Sequence, residues 1–312
     1  MTNAFTVDVE DYFHVTAFSA AVDVGSWTGR ESRVERNTHV ILEMLSQRNV
    51  RGTFFILGWV AERYPNLVRE IAAGGHEIAS HGMSHQLIYR QGSERFREET
   101  RRSKKTIEDL AQQPVIGYRA ATYSITKRSL WALDILVEEG FCYDSSIFPI
   151  HHDRYGIPNA PLDPCRLVLD SGATIVEFPI SVWRSGIAVI PVAGGGYFRM
   201  LPYGVTRWGL QRLNAKGRPF VFYIHPWEVD PQQPRVSGVS LLSRFRHYTN
   251  LDRCRTRLET LLNEFSFVPM NEVLQQEGLL EWDSKSVLPD KPKEIRTVKV
   301  SDFVLPHVGG EG

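Results

Sequence analysis

The chain is 312 residues long, enough to bury a substantial core in one large barrel-type domain or in two smaller ones. With 42% hydrophobic and 23% charged residues it has the make-up of a folded globular protein, not of a largely disordered chain. Lys plus Arg and Asp plus Glu both total 36, so no global charge points to nucleic acid, and the expected partner is a small or neutral molecule.

The opening Met1-Thr2-Asn3-Ala4 lacks the basic start and apolar stretch of a secretory signal. No apolar run approaches the roughly 20 residues of a membrane-spanning helix, so the expectation is a cytoplasmic protein without an integral membrane segment. Ala4–Val9 reads as a first strand that runs into the acids Asp8, Glu10 and Asp11. Strand alternation puts Asp8 and Glu10 on one side and turns Asp11 elsewhere, with helix capping or a solvated loop as the plain alternative for these acids. An amphipathic helix is expected over Arg33–Gln47 and a strand, apolar on both faces, over Gly52–Leu57. A helix from Val60 to Ala73, broken near Pro65, precedes a strand ending at Ser80. This alternation predicts right-handed βαβ units.

Just past Ser80 come His81 and His85, four positions apart. On a helix such a pair shares one face, and neutral imidazole is a common zinc ligand; a solvated surface turn is the plain alternative. The charged stretch Glu94–Gln112 reads as a helix with a solvated face, not a nucleic-acid patch. Pro114–Arg119 reads as a strand tipped by arginine, Lys127–Glu139 as a helix stopped by Gly140, and Phe141–Asp144 as a strand tipped by an acid. A long loop spans 149–165, followed by strand-like segments at Arg166–Leu169, Thr174–Phe178 and Gly186–Ile190. Gly194–Arg199 lacks a phosphate-loop pattern and reads as a flexible rim. A helix over Tyr203–Ala215 leads to the strand Pro219–His225, which Pro226 ends; Leu251–Phe265 reads as a closing helix and Phe267–Pro269 as a short edge. Cys142, Cys165 and Cys254 have no C-x-x-C spacing and serve as packing residues. The division expected is one domain over 1–280 and a polar tail over 281–312, Lys285–Lys299 in particular.

Charged groups thus recur at strand ends: Asp8, Glu10, His81, His85, Arg119, Asp144 and His225. A carboxylate with two histidines leaves coordination positions open, the layout of a hydrolytic metal site, and a further acid and histidine remain to move protons.

With this order of motifs the chain resembles, over about residues 4–270, the polysaccharide deacetylase family, metal-dependent enzymes that remove acetyl groups from chitin-like and peptidoglycan-like sugars. The resemblance implies an α/β fold, a distorted (β/α) barrel of about seven parallel strands, with an acetylated oligo- or polysaccharide as substrate. It implies Asp8 as base, His81 and His85 as metal ligands, Arg119 as the group orienting the base, and His225 as acid. Asp8-Val9-Glu10-Asp11 is similar to an Asp-Val-Asp variant, which makes Glu10 the carboxylate ligand and Asp11 its alternate. Asp144, Phe148, Tyr123 and Trp227 are implied in substrate binding; Phe148 stands where the family usually has tryptophan, and Arg119-Ala120 lacks the usual proline. The implied cofactor is a divalent metal, zinc first, with cobalt, nickel or manganese as alternatives. The His-Asp-Arg-Tyr-Gly loop and the Gly-Gly-Gly-Tyr-Phe-Arg segment are similar to those of deacetylases found beside bacterial exopolysaccharide and protein-sorting loci. A metal-free allantoinase-like amidohydrolase and a non-catalytic carbohydrate-binding relative are the rival readings.

Overall fold

The computed structural model describes residues 1–186, 188–281 and 295–304. In chain order the elements are β1 (Thr2–Val9), α1 (Val34–Ser46), β2 (Thr53–Ile56), α2 (Gly58–Arg63), α3 (Pro65–Ala73), β3 (Glu77–Ser80), α4 (Ile88–Gln91), α5 (Ser93–Ala111), β4 (Gly117–Tyr118), α6 (Trp131–Glu138) and β5 (Tyr143–Asp144). There follow β6 (Cys165–Val168), β7 (Thr174–Glu177), β8 (Val182–Ser185), β9 (Ala188–Pro191), α7 (Gly195–Met200), α8 (Tyr203–Ala215), β10 (Val221–Ile224), α9 (Leu241–Tyr248), α10 (Leu251–Glu264), β11 (Ser266–Val268), α11 (Met270–Gln276), β12 (Thr297–Lys299) and α12 (Val300–Val304). Among the described residues no helix is long and apolar enough to cross a membrane.

The main sheet runs β10-β1-β2-β3-β4-β5-β7-β6-β12. The first seven of these pair parallel, β6 is antiparallel to β7, and β11 pairs with the start of β1. This is the expected distorted barrel of about seven parallel strands. Across the seam between β7 and β10 the Val221 N–H donates to Ser181 Oγ at 3.0 Å, where a strand ladder would otherwise close the ring.

Alternation along the strands sorts the side chains into two apolar clusters. Phe5, Val7 and Val9 of β1 pack outward with Phe54, Ile56, Phe222 and Ile224 in the larger cluster. Ala4 packs with Phe55, Ala79, Val221 and Tyr223 in the inner one. The even-numbered positions of β1 therefore face the lumen, and this places Thr6 and Asp8 inside the barrel. Because parallel strands all run the same way, their C-terminal residues meet at one mouth.

Several expected elements differ in form. Pro65 does split the second helix, and it opens α3 at the position where a missing N–H costs nothing. The strand expected over Pro114–Arg119 is only Gly117–Tyr118, and α6 starts at Trp131, not Lys127, because Ser129 Oγ accepts the Thr126 N–H and holds a turn before it. The 186–190 segment belongs to a separate hairpin, β8–β9, and α9 lies in a stretch with no expected element. The polar tail is not wholly without core: β12 pairs with β6, and Val300 and Phe303 are buried, while residues 282–294 lie outside those described.

The largest revision concerns Gly194–Arg199, which is no flexible rim. It bridges to Tyr223 of β10 and continues as α7, with Arg199 buried. Gly194 sits at φ +133°, and a Cβ there would lie 1.9 Å from the Tyr223 carbonyl oxygen, so no other residue fits. Gly194→Ala is expected to destabilise the fold by at least about 1–3 kcal/mol, seen as a lower urea midpoint. An unchanged midpoint would show that the segment is free to move after all.

Candidate active site

At the mouth, β1 delivers Asp8 and, three places along the sheet, Arg119 follows the end of β4; both are essentially without solvent exposure. Arg119 Nη1 donates to Asp8 Oδ1 at 2.6 Å and to Thr6 Oγ1 at 2.8 Å, while Nε and Nη2 donate to the Ser145 carbonyl and Oγ at 3.1 Å. Its guanidinium also lies 4.0 Å from the Phe55 ring centroid. With every face of the guanidinium occupied, Asp8 is held in one orientation with Oδ2 turned to the cavity, 3.5 Å from the Tyr123 hydroxyl and 3.8 Å from His225 Nε2.

Glu10, His81 and His85 converge beside it, with one ligand atom from each lying within 4.8 Å of the other two. The segment Ser80–His85 is not helical. Gly82 and His85 both have positive φ, 75° and 51°, and the loop is pinned because the N-terminal amides of α2, Gly58 and Trp59, donate to the Gly82 and Met83 carbonyls. Ser103 Oγ adds a hydrogen bond to the Gly82 carbonyl. The pair therefore comes together through a strained turn, not through helical periodicity.

His81 Nδ1 is 2.8 Å from the Arg119 carbonyl, which can only accept, so Nδ1 carries the proton and the Nε2 lone pair is free. Burial pushes its pKa down to about 4, which keeps the ring neutral as a ligand must be. Burial alone would raise the Glu10 carboxyl, but the adjacent His85, with His225 and His81, holds it well below the usual range. Glu10 Oε2 lies 2.5 Å from His85 Nε2, yet neither Oε2 nor His85 Nδ1 makes an aligned hydrogen bond although both are buried. Leaving the Glu10 oxygen unpartnered costs about 1–3 kcal/mol, and a cation between that carboxylate and the Nε2 edge of His85 would remove this cost, so the donor set suits one metal ion.

Asp11, the alternate ligand, is not in this cluster. Its Oδ2 accepts from Ser32 Oγ and from the amides of Arg33 and Val34 at the start of α1, and Oδ1 from Tyr12 N. It caps α1, the role open to an acid turned away from its neighbours.

On the strand next to β1, His225 follows β10, and its Nδ1 bonds Glu228 Oε1 at 2.7 Å. Glu228 also receives Arg199 Nε at 2.5 Å, and Arg199 is anchored to the carbonyls of Arg246, His247 and Thr249. Burial opposes the imidazolium, but the bond to Glu228 and the charges of Glu10 and Asp8 outweigh it and raise His225 to about 9. Burial likewise opposes the Glu228 carboxylate, and Arg199 and His225 outweigh it and bring its pKa to about 2. His225 Nε2 faces the centre, 3.6 Å from Glu10 Oε1.

These groups line a cavity of about 190 Å³ with Thr16, Thr122, Tyr155, Tyr223, Arg246 and His247 in its walls. Tyr123 and Trp227 also line it, and Trp227 Nε1 donates to Glu10 Oε1 at 3.2 Å. Asp144 and Phe148 do not. Asp144 is fully buried, bound to Ser146 Oγ and N, with burial raising it to about 6. Phe148 stacks behind Tyr155 and meets Tyr123 edge-on, so it supports the wall without reaching the cavity. The acid Glu228 and the cation Arg199 escaped the sequence reading. The sequence does hint at Glu228, because His225-Pro226-Trp227-Glu228 has the i, i+3 spacing of a capping box.

Fold and site together define an α/β-barrel protein with an open cluster for one metal ion, flanked by a paired aspartate and a carboxylate-bound histidine. Residues 20–136 match the polysaccharide deacetylase family, and residues 145–275 match a domain of unknown function (DUF3473). Over residues 20–136 the chain is therefore similar to polysaccharide deacetylases. A chitooligosaccharide deacetylase of Rhizobium leguminosarum bv. trifolii is 30% identical over 153 residues, 49% of this chain and 63% of that protein. A peptidoglycan-N-acetylglucosamine deacetylase of Bacillus cereus is 38% identical over 74 residues, 24% and 27% of the two chains. The chain thus spans less than two thirds of the length of these curated relatives. Among solved structures, a Mycobacterium smegmatis protein assigned as a polysaccharide deacetylase aligns over 93% of this chain and 96% of its own, with TM-score 0.59 and 18% identity. Puue allantoinase aligns over 88% and 89%, with TM-score 0.58 and 12% identity. At such identities these likenesses show the shared fold alone.

The raised pKa of His225 stabilises the folded state fully below its ordinary 6.5, and that contribution is lost as pH rises through about 9. Glu228→Gln keeps the shape but removes the charge, so the His225 titration, followed by its imidazole proton resonance in metal-stripped protein, should move down from about 9. A titration unchanged in that variant would show that Glu228 does not hold the imidazolium.

Proposed function

We propose that the protein is a metal-dependent hydrolase that removes acetyl groups from N-acetylated amino sugars within an oligo- or polysaccharide. The observation that carries this reading is the facing of Asp8 Oδ2 and His225 Nε2, 3.8 Å apart, beside the Glu10–His81–His85 cluster. An amide hydrolysis needs a base for the attacking water and an acid for the departing amine, and here both stand next to a place for a Lewis acid. The deacetylase names of the two curated relatives support the substrate class.

Glu10, His81 and His85 would hold the ion, and the set of two imidazoles and one carboxylate suits zinc, with cobalt, nickel or manganese as alternatives. When bound, such an ion polarises a carbonyl and makes water more acidic. Asp8, aimed by Arg119, takes the water's proton on Oδ2 as the new carbon–oxygen bond forms at the acetyl carbon. As the carbon–nitrogen bond breaks, His225 gives its Nε2 proton to the sugar amine, and Glu228 on Nδ1 steadies the ring. The products are acetate and a free amino sugar. We place the chain with deacetylases of bacterial exopolysaccharide assembly on the strength of the Tyr155 loop and the Gly194–Arg199 segment, which both reach the cavity. A metal-free amidohydrolase on this barrel would leave the three converging ligands without a purpose.

Zinc-supplemented protein should release acetate from N-acetylglucosamine oligomers, and Asp8→Asn, which still accepts from Arg119, should lose roughly 100-fold or more in turnover with its circular dichroism unchanged. Acetate released at the wild-type rate by Asp8→Asn would refute the assignment of the base. No acetate from any acetylated oligomer would refute the function.

A further inference from the structure

A second cavity, about 230 Å³, adjoins the first and shares Val15, Thr16 and His85 with it. Two buried N–H donors on its wall have no hydrogen-bond partner, His14 Nε2 and Trp27 Nε1. The two residues are 3% and 4% exposed, and their ring centroids are 4.3 Å apart. The role of His14 Nε2 as donor follows from its other nitrogen: Nδ1 accepts the Asp11 backbone N–H at 2.9 Å, so the proton of the neutral ring sits on Nε2. Burial, which lowers its pKa to about 3, keeps the ring neutral. The remaining wall is mixed: Phe13, Val22 and Leu87 give it a buried apolar part, and Ser19, Ser84 and Gln86 add polar groups. The cation Arg90 stands at the exposed rim.

A carbonyl oxygen has two lone pairs, and two neutral donors close together satisfy both. A small methyl group beside that oxygen could lie against the apolar part of the wall formed by Phe13, Val22 and Leu87. A carboxylate would call for charged donors, and the one cation on this wall is at the rim, away from the buried pair. We propose that this cavity is a subsite for the N-acetyl group of a second sugar, next to the sugar whose acetyl group lies over Glu10, His81 and His85. The proposal rests on the function proposed above, and it adds a selectivity: oligomers in which the neighbouring unit keeps its acetyl group are favoured over those in which it has lost it. His14 and Trp27 are then binding residues for that neighbour, and deacetylation depends on the pattern already present.

The test is a titration of the 312-residue chain, 15N-labelled at its tryptophan indoles, with N-acetylglucosamine tetramer, glucosamine tetramer and sodium acetate in turn. The Trp27 indole resonance, identified by its loss in Trp27→Phe, should shift with the acetylated tetramer and with neither of the other two. In turnover, Trp27→Phe should reduce the preference for a fully acetylated tetramer over one bearing a single acetyl group by about two- to tenfold, the worth of one neutral hydrogen bond. If the Trp227 indole beside Glu10 moves with the acetylated tetramer while that of Trp27 stays, the subsite is wrong and the proposed function stands. A Trp27 shift with acetate or with glucosamine tetramer as large as that with the acetylated tetramer also overturns the subsite. If neither indole moves and no acetate is released, both readings fall.

Discussion

The ion pair between Arg119 and Asp8, sealed inside the barrel, sets most of the site. A charge with no access to water must be paired and hydrogen-bonded, and removing one partner of such a pair costs on the order of 3–5 kcal/mol, a large share of a domain's typical net stability. Arg119 meets that demand with contacts to β1 through Asp8 and Thr6, to the end of β5 through Ser145, and to β2 through the Phe55 ring. Its own carbonyl takes the Nδ1 proton of His81. One side chain and one backbone group thus fix both the orientation of Asp8 and the tautomer of His81, so Asp8 and the Glu10–His81–His85 cluster cannot drift apart without exposing a buried charge.

The surroundings of His225 are built separately. Arg199 and Glu228 lie behind His225, and Arg199 reaches back to three carbonyls around the end of α9. The same element that Gly194 presses against β10 therefore carries the cation that keeps Glu228 ionised, and Glu228 in turn keeps His225 protonated. Two imidazoles that line one cavity are driven in opposite directions by their surroundings. His81, held by a carbonyl, is neutral and can ligate, and His225, held by a carboxylate, is charged and can donate a proton. Histidine serves both purposes because its ordinary pKa lies where modest surroundings decide its state.

Much of the barrel was legible because a strand buried on both faces must be apolar throughout. Gly52–Leu57 and Pro219–His225 showed this, and charged residues at the ends of such strands stood out against it. What stayed hidden was set by contacts distant in sequence. The His81–His85 spacing suggested a helix, and the loop form depends on amides at the start of α2 and on Ser103 of α5. Asp11 caps α1 across some twenty residues, which strand alternation could hint at only by turning it away from Glu10. Asp144 and Phe148 looked like binding residues by position in the motif order, but β5 is two residues long and the chain turns both side chains into packing. Arg199 followed three glycines, a composition that reads as mobile until the closeness of the Tyr223 backbone explains it. The return of Thr297–Val304 to the sheet lies beyond a polar stretch that gave no periodic signal.

The central claim is that Glu10, His81 and His85 form one metal centre beside the Asp8–Arg119 pair. Anomalous X-ray diffraction at the zinc absorption edge, on crystals of zinc-loaded protein, tests it most directly. The account predicts one strong peak per chain, about 2.0–2.2 Å from a carboxylate oxygen of Glu10 and from a ring nitrogen of each of His81 and His85, with Asp8 still bound to Arg119. A peak at Asp11, a peak that leaves out either histidine, or no peak at this cluster would contradict it.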